Sequence, residues 1–468
     1  MRDMKRNDFT DDVWEKDRRH VIHPWHMPKS FDETGSTIMS EARGCWITDI
    51  TGRKFLDGLG GVWCVNVGWG REEIVEAMAE QARKLAYTNP WIDLGNEPAA
   101  LLAARLADLA PGDLNRVFFS SGGSTANDSA FRIIQFYWGC QGKKNRRHII
   151  TRMGSYHGST YLTQMMSGKF SDRSPEFDYR CDFVHHVTEP NLYRRPLNMT
   201  AEEFTDFLIK EFEDKVLELG EDNVAAYFAE PILGAGGVIV PPRRCITAVR
   251  EICRRYGIIY VSDEVVTAFG RLGEWFASKA VFDIQPDMIV CAKGLSSAYA
   301  PLGATIFSDA IYDVIAEKGY DRMMTNGFTY SGHPVSCAVA LKNIEILERE
   351  NLLGYVKHDI GPYFMERLNS LRDMPTVGDI RGMHLMGCVV NVANKETREN
   401  LPTEVNIGGR IAKACQQRNL IVRPIANLNV LSPALTVTRA EVDEMISILR
   451  EAMEEVIADL RSEGVKLG

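Results

Sequence analysis

The stretch DMIVCAKGLSSAYAPLGA, residues 287–304, contains the lysine around which the sequence can be interpreted. Its apolar run from Met288 to Ala292 is typical of a buried strand, and Lys293 follows directly. A lysine at this point costs free energy unless it is paired, used in chemistry or extended into solvent. If burial lowers its pKa, Lys293 becomes a nucleophilic amine that can form a Schiff base.

Short apolar runs alternate with amphipathic segments on both sides of this stretch. The periodicity predicts helices over 124–138 and 245–256. Strand–helix alternation is typical of an α/β domain with a mainly parallel sheet. The predicted strands are NRVFFS (115–120), RHIITR (147–152), AAYFAEPI (225–232), GIIYVSDE (257–264), DMIVCAK (287–293) and GATIFS (303–308).

The two ends of the chain have a different pattern. The sequence CWITDITGRKFLDG, residues 45–58, favours a hairpin. The last helix is predicted to begin with a capping box formed by Thr438 and Glu441. We therefore expect a large domain over 66–335 and a smaller α+β domain built from 1–65 and 336–468.

An acidic residue also ends a predicted strand. In IIYVSDEVVTAFGR, Asp263 follows an apolar run, and ligands of open parallel sheets bind at the carboxyl ends of strands. Asp263 and Lys293 can therefore face one crevice from neighbouring strands. The two residues can form a plain salt bridge, but they are also the two groups that pyridoxal phosphate (PLP) requires: an acid for its ring nitrogen and a lysine for its aldehyde.

A glycine turn provides a third feature. In VFFSSGGSTANDSAF a strand leads through Gly122 and Gly123 into a helix that begins near Ser124 and Thr125. Backbone N–H groups at the start of a helix are suited to binding a phosphate. The same residues can also form a simple glycine turn with Ser124 or Thr125 as the helix cap.

Composition excludes several classes of function. The 468-residue chain is 45% hydrophobic and has a formal net charge of -9, which argues against a general nucleic-acid binder. Its ten cysteines contain no CxxC pair, and the histidines have no zinc-ligand spacing, so we expect reduced core thiols and no metal. The sequence shows neither a signal peptide nor an apolar run of membrane-spanning length, and we expect a soluble cytoplasmic protein.

The order of phosphate turn, acid and lysine is that of fold-type I PLP enzymes. The chain resembles the class III aminotransferases, and within them the ω-amine:pyruvate transaminases, over nearly its whole length. The motifs that carry the resemblance are LDGLGGVWCVNVGWG, FFSSGGSTAND, GSYHGST, AEPILGAGGVIVPP, SDEVVTAFGRLGEWFA, AKGLSSAYAPLGA, GFTYSGHP and LIVRPIANLNVLSPAL.

The resemblance implies cofactor roles for particular residues. Lys293 resembles the Schiff-base lysine and proton shuttle, and Asp263 resembles the partner of the ring nitrogen. The other implied cofactor residues are Gly123 and Ser124 at the phosphate, Tyr156 and Val265 on the two ring faces, His157 beside Tyr156, and Thr329, which reaches the phosphate of the neighbouring subunit. A homodimer, which can pair further into a tetramer, is therefore expected. Thr125 stands where the family usually has glutamate.

The resemblance also implies substrate residues. Arg423 resembles a movable arginine that pairs with the carboxylate of a keto acid, with Glu230 as its resting partner. The implied pocket-shaping residues are Trp63, Tyr87, Trp91 and Ala235, whose aromatic members suit an apolar amine substituent.

These features predict a ping-pong transfer of an amino group from an amine or ω-amino acid to pyruvate, with S-selectivity. Putrescine, β-alanine and taurine remain open as donors, because the polyamine and taurine transaminases share many of the motifs. Decarboxylation, aminomutase chemistry and PLP binding without turnover are alternatives. A serine hydrolase with Ser124 as nucleophile is another, although its turn has Ala126 where that motif has glycine.

Overall fold

The strands form three sheets, of seven, four and four strands, in the part of the chain that the structure describes. This structure is a computed structural model, and it describes residues 8–91, 93–318 and 321–467. The strands are β1 Met39–Arg43, β2 Trp46–Asp49, β3 Lys54–Asp57, β4 Leu114–Ser120, β5 His148–Arg152, β6 Val184–Val187, β7 Val224–Ala229, β8 Ile259–Asp263, β9 Met288–Cys291, β10 Gly303–Ser308, β11 Val377–Met383, β12 Met386–Asn391, β13 Leu420–Ile421, β14 Arg423–Ile425 and β15 Leu428–Leu431.

The helices alternate with the strands through the middle of the chain, as the hydrophobic pattern predicts. They are α1 Asp8–His20, α2 Pro28–Thr34, α3 Gly60–Trp63, α4 Glu72–Lys84, α5 Glu97–Leu109, α6 Gly123–Cys140, α7 Tyr161–Met166, α8 Ala201–Leu219, α9 Arg243–Arg255, α10 Ala277–Ala280, α11 Asp309–Lys318, α12 Pro334–Arg349, α13 Leu352–Tyr355, α14 Gly361–Asn369, α15 Ile407–Gln417 and α16 Arg439–Ser462. Among the described residues, no helix has both the length and the apolar surface needed to cross a bilayer.

The seven-stranded sheet confirms the predicted α/β class. Its strand order is β4-β10-β9-β8-β7-β5-β6, and the neighbours from β9 to β6 are parallel. Strand β10 pairs antiparallel with both β9 and β4, so it runs opposite to the other six. The carboxyl ends of those six strands therefore meet at one edge of the sheet, where a ligand site is expected.

Three of the predicted strands end one to three residues earlier in the structure, β7 at Ala229, β8 at Asp263 and β9 at Cys291, and these ends lie at or next to predicted site residues. Strand β7 ends at Ala229, because Pro231 has no N–H group with which to continue the ladder. Strand β9 ends at Cys291, and the backbone then turns so that Lys293 has a φ of 36°. A positive φ in a residue other than glycine is a strained conformation that often accompanies function.

The predicted hairpin and the last helix are both confirmed. Strands β2 and β3 pair antiparallel, and β3 also pairs in parallel with β13, so distant parts of the chain share one sheet. Helix α16 begins after Thr438, whose side chain accepts a hydrogen bond from the backbone N–H of Glu441. The shared sheet accords with a small domain built from both ends, and its boundaries at 65 and 336 stay a prediction.

Candidate active site

A cavity of about 750 Å³ lies beyond the carboxyl ends of the parallel strands. Its wall includes residues that follow β4, β5, β7, β8 and β9. The predicted site residues that line it are Trp63, Gly123, Ser124, Tyr156, His157, Glu230, Ala235, Asp263, Val265, Lys293 and Arg423. Tyr87, Trp91 and Thr329 are not among the lining residues of this cavity.

Lys293 lies in the cavity wall with its side chain partly enclosed. Burial lowers the pKa of Lys293, and the carboxyl group of Asp263, the Cys64 thiol and Glu230 oppose this effect only in part. The amine therefore loses its proton at a lower pH than an ordinary lysine does. A neutral amine is the nucleophilic form, so this position suits covalent chemistry as well as proton transfer.

Asp263 is buried at the end of β8 and has hydrogen bonds to both carboxylate oxygens. Its Oδ2 accepts from His157 Nδ1 at 2.7 Å and from Asn127 Nδ2 at 2.8 Å, while Oδ1 accepts from the backbone N–H of Val265 at 3.2 Å. A carboxylate can only accept, so Nδ1 of His157 carries a proton and Nε2 faces Thr151 Oγ1 at 3.0 Å. These contacts fix the orientation of the buried carboxylate.

The glycine turn after β4 forms another part of the wall. Helix α6 begins at Gly123, and no side chain caps its first turn, so its first N–H groups have no helical acceptor. A Cβ atom on Gly123 would come within 2.9 Å of Val265 Cγ1, which explains the glycine. The hydroxyl of Thr125 donates to the carbonyl of Gly122 at 3.0 Å, so it supports the turn without covering the N–H groups.

Ser124 lacks the partner that a hydrolase nucleophile requires. Its Oγ accepts a hydrogen bond from the backbone N–H of Ser159 at 3.1 Å. The histidine that lines the cavity is His157, and both of its ring nitrogens contact other groups. Without a general base on Ser124, the arrangement does not support a serine hydrolase.

Glu230 does not form the expected resting pair with Arg423. Its Oε1 accepts from the backbone N–H of Tyr156 at 2.9 Å, and its Oε2 accepts from that of Gly234 at 2.8 Å. Burial raises the pKa of Glu230, although these two hydrogen bonds oppose the rise. Backbone amides therefore occupy both oxygens of the carboxyl group, and Glu230 orients the loop that carries Tyr156.

Arg423 lies instead over the ring of Trp63, with its guanidinium carbon 4.8 Å from the ring centroid. Within the described part of the chain, Arg423 forms no salt bridge with a carboxylate. Burial lowers the pKa of Arg423. The turn that contains Val62 and Trp63 has a strained backbone, because the φ values of these two residues are 130° and 59°. The cavity therefore contains a guanidinium that is free to bind an anion.

The three predicted residues outside the cavity lie on the surface, on or beside one loop. Tyr87 donates a hydrogen bond from its hydroxyl to the carbonyl of Thr329 at 2.9 Å, and its ring packs against Tyr330. Trp91 lies beside the same loop, near Gly327, with 51% of its surface exposed. We call Tyr87, Trp91, Thr329 and Tyr330 the aromatic patch.

Several residues of the cavity carry no sequence signal that identifies them. Trp25 lies before α2, lines the cavity and packs edge-on against Tyr156 with the ring centroids 6.2 Å apart. Asp172 and Cys64 also line it. Asn127 stands in the FFSSGGSTAND motif, yet its bond to Asp263 depends on the packing of α6 against β8. No periodicity or spacing places these residues together.

Comparison with known proteins agrees with this geometry. Residues 29–453 match the profile of the aminotransferase class-III family. A putrescine--pyruvate aminotransferase from Pseudomonas aeruginosa is 38% identical over 441 residues, covering 94% of this chain and 95% of the relative. A mitochondrial γ-aminobutyrate transaminase from Oryza sativa is 37% identical over 438 residues, covering 91% of this chain and 83% of the relative.

Solved structures of transaminases are also similar to this chain. An (S)-enantioselective ω-transaminase from Thermomicrobium roseum has a TM-score of 0.92 at 37% identity, covering 96% of this chain and 98% of its own. The ω-transaminase from Pseudomonas jessenii in complex with PMP has a TM-score of 0.92 at 31% identity, covering 95% and 98%. The fold and the cavity are those of a fold-type I transaminase. The chain belongs to the class III aminotransferases, enzymes that use PLP.

Proposed function

We propose that this enzyme transfers an amino group from an amine or ω-amino acid to pyruvate in a ping-pong reaction. The observation that carries the proposal is the placement of Lys293 and Asp263 in one cavity, at the ends of the neighbouring strands β9 and β8. The names of the relatives support the acceptor, since one acts with pyruvate and several solved neighbours are ω-transaminases.

The residues of the cavity fit PLP. Lys293 supplies an amine for the aldehyde, and Asp263 supplies a carboxylate for the ring nitrogen. Gly123 and Ser124 supply N–H groups at the start of α6 for the phosphate. Val265 and Tyr156 line the cavity between these ends and suit the two faces of a ring. When bound, PLP withdraws electrons from the carbon that bears the amino group, which makes a proton there acidic.

Each side chain then has a distinct task. The Nζ of Lys293 would take the acidic proton from the donor carbon and deliver it, within the same half-reaction, to the cofactor carbon that carried the aldehyde, and the second half-reaction would run this transfer in reverse. Asp263 keeps a negative charge next to the ring nitrogen, and His157 and Asn127 hold it in position. A neutral Lys293 amine is needed for this task, and its lowered pKa provides that form nearer to neutral pH.

Arg423 is the residue that selects the keto acid. A guanidinium can bind both oxygens of a carboxylate, and Arg423 has no salt-bridge partner among the described residues. Trp63 supports the guanidinium and also forms an apolar wall together with Ala235. The proposed S-selectivity is supported by the likeness to the (S)-enantioselective ω-transaminase from Thermomicrobium roseum, which is 37% identical.

The aromatic patch supports a homodimer. Exposed aromatic side chains grouped on one surface are typical of an interaction site. Thr329 lies in this patch rather than in the cavity of its own chain, which accords with a role at the phosphate of a neighbouring subunit. We therefore propose that Tyr87, Trp91 and Thr329 complete the partner's active site.

The test is alanine formation. The purified protein is loaded with PLP and mixed with pyruvate and either enantiomer of 1-phenylethylamine. We expect alanine and acetophenone in equal amounts, with the S enantiomer reacting faster. Absence of alanine with both enantiomers would contradict the proposal, and equal rates for the two enantiomers would contradict the S-selectivity.

A further inference from the structure

A second cavity, of about 20 Å³, lies between strands β7 and β8 of the large sheet and helices α8 and α9. A volume of this size holds about one water molecule or an ion of similar size. Its lining is mostly apolar. The lining side chains that carry a polar hydrogen are those of Arg152, Thr188, Tyr227, Cys245 and Tyr260.

Arg152 brings a positive charge into this cavity. The residue is 5% exposed, and its Nη2 donates a hydrogen bond to the carbonyl of Glu230. Neither its Nε nor its Nη1 has an acceptor among the residues that the structure describes, and no carboxylate of these residues forms a salt bridge with it. A guanidinium has five N–H donors and keeps its charge, so its burial is costly without an acceptor that carries the opposite charge.

Two tyrosines add further donors at the same place. Tyr227 and Tyr260 lie opposite each other on β7 and β8, with their ring centroids 5.4 Å apart. Both are buried, and neither hydroxyl has a hydrogen bond to any described residue. Burial raises the pKa of both tyrosines, and the charge of Arg152 opposes that rise in each, so the guanidinium lies near both hydroxyls. Both phenols therefore stay protonated and do not neutralise Arg152.

The other polar side chains of the lining do not supply the missing charge. The hydroxyl of Thr188 donates to Glu211 Oε1 at 2.9 Å, and its backbone N–H donates to Oε2 at 2.9 Å, so Glu211 is bound by Thr188 rather than by Arg152. Burial raises the pKa of the Cys245 thiol to about 11, so the thiol is neutral. A water molecule accepts only two hydrogen bonds, whereas an anion accepts more and also neutralises the guanidinium.

We propose that this cavity binds a small monovalent anion of halide size, held by the guanidinium of Arg152 and the hydroxyls of Tyr227 and Tyr260. The proposal goes beyond the transaminase function and does not depend on it. Arg152 also donates to the carbonyl of Glu230, whose carboxyl group accepts from the backbone N–H of Tyr156 in the active-site cavity. The bound anion thus stabilises the active-site wall from behind.

The first experiment locates the anion. Crystals of the PLP-loaded enzyme are grown in sodium bromide, and diffraction is measured at the bromine absorption edge. We expect an anomalous difference peak in this cavity, in contact with the guanidinium of Arg152. Electron density there without an anomalous signal would identify a water molecule and would overturn the proposal.

The second experiment tests whether the anion binds in solution. Thermal unfolding is followed while sodium gluconate, whose anion is too large for the cavity, is replaced stepwise by sodium chloride at constant ionic strength. A ligand that binds the folded protein raises Tm, and we expect a saturating rise of about 2 °C. A bromide peak in the crystal without a saturating rise in Tm would mean an adventitious ion only and would contradict the proposal.

Variants of the lining assign the effect to this cavity. The double variant Tyr227→Phe, Tyr260→Phe keeps both rings and removes two donors, so the chloride concentration that gives half of the rise in Tm should increase about tenfold. The matched control is Tyr256→Phe, because the hydroxyl of Tyr256 donates to Glu213 outside the cavity. That control should respond to chloride as the parent protein does.

Arg152→Met removes the charge, and the response to chloride should disappear. If this variant does not fold, the double tyrosine variant decides, and an unchanged response of that variant would overturn the proposal. Neither readout uses the amino-transfer reaction. A protein without transaminase activity that still shows the saturating rise would thus refute the proposed function and leave the anion site standing.

Discussion

Two regions that carry predicted site residues differ in how complete they are within one chain. At the carboxyl ends of β8 and β9, Asp263 and Lys293 share a cavity, and both carboxylate oxygens of Asp263 accept hydrogen bonds from the same chain. In the aromatic patch, Tyr87 and Trp91 are exposed and contact no part of that cavity. The sheet positions the first region by itself, whereas we propose that a neighbouring subunit completes the second.

The largest effect is expected at Lys293. Lys293→Ala removes the amine that moves the proton, so alanine formation should fall about 10⁴-fold. Lys279→Ala is the control, because Lys279 is an exposed lysine that pairs with Asp283 away from the cavity. Activity of Lys293→Ala within tenfold of the parent would show that the strand-end region is not the catalytic centre.

A smaller effect is expected at Asp263. Asp263→Asn replaces a charged acceptor by a neutral amide and should lower kcat by about 10² to 10³, because the positive ring nitrogen loses its partner. His157→Gln should cost about tenfold, since His157 acts through the position of Asp263. Equal losses in the two variants would mean that the charge on Asp263 is not the reason for its role.

The role of the aromatic patch in dimer formation can be tested by placing a charged side chain in the patch. Trp91→Asp should weaken dimer formation about thirtyfold or more, because it places a carboxylate in an apolar contact. Light scattering across a dilution series measures this, and activity should fall with the dimer fraction. Leu217→Asp, at another exposed apolar residue on α8, is the control. A monomeric enzyme with full activity would remove the distinction between the two regions.

The smallest effect is expected at Arg423, which lines the cavity and lies over Trp63. Arg423→Met should raise the KM for pyruvate about tenfold and change the KM for butylamine much less, because only pyruvate carries a carboxylate. Arg439→Met is a matched control, since Arg439 also lies over an aromatic ring, that of Tyr363 at 4.6 Å. Equal changes in both KM values would contradict the assignment.

The pH dependence of the reaction should distinguish the role of Lys293 from that of Arg423. The folded-state pKa of Lys293 is lowered, so its amine becomes protonated only when the pH falls below that value. We expect kcat to decrease as the pH falls through this lowered pKa. The KM for pyruvate should stay constant over the same range, because Arg423 remains charged there.

The sequence was most informative where a charged side chain directly follows an apolar strand. Apolar runs predict β8 and β9, so Asp263 and Lys293 could be placed together before the structure. The resemblance supplied the remaining residues but not their contacts. Glu230 does not pair with Arg423 here, because the backbone N–H groups of Tyr156 and Gly234 reach it first. The choice of partner for Glu230 depends on loop conformation, and the sequence pattern does not predict that conformation.

Other cavity residues could not be predicted because they come from irregular segments. Trp25 precedes α2 in a turn with a φ of 56°, and Asp172 ends a three-residue turn. Neither position has a periodicity that sets its direction. Asn127 lies in the predicted helix α6, but its hydrogen bond to Asp263 depends on how α6 packs against β8.

The most direct test is the absorption spectrum of the purified protein loaded with PLP. Cofactor bound to a lysine has a long-wavelength band, and we expect an amine donor to bleach it and pyruvate to restore it. Lys293→Ala should lack the band of lysine-bound cofactor. Such a band in Lys293→Ala, or its absence from the parent protein with excess PLP, would contradict the assignment of Lys293 and with it the account of this site.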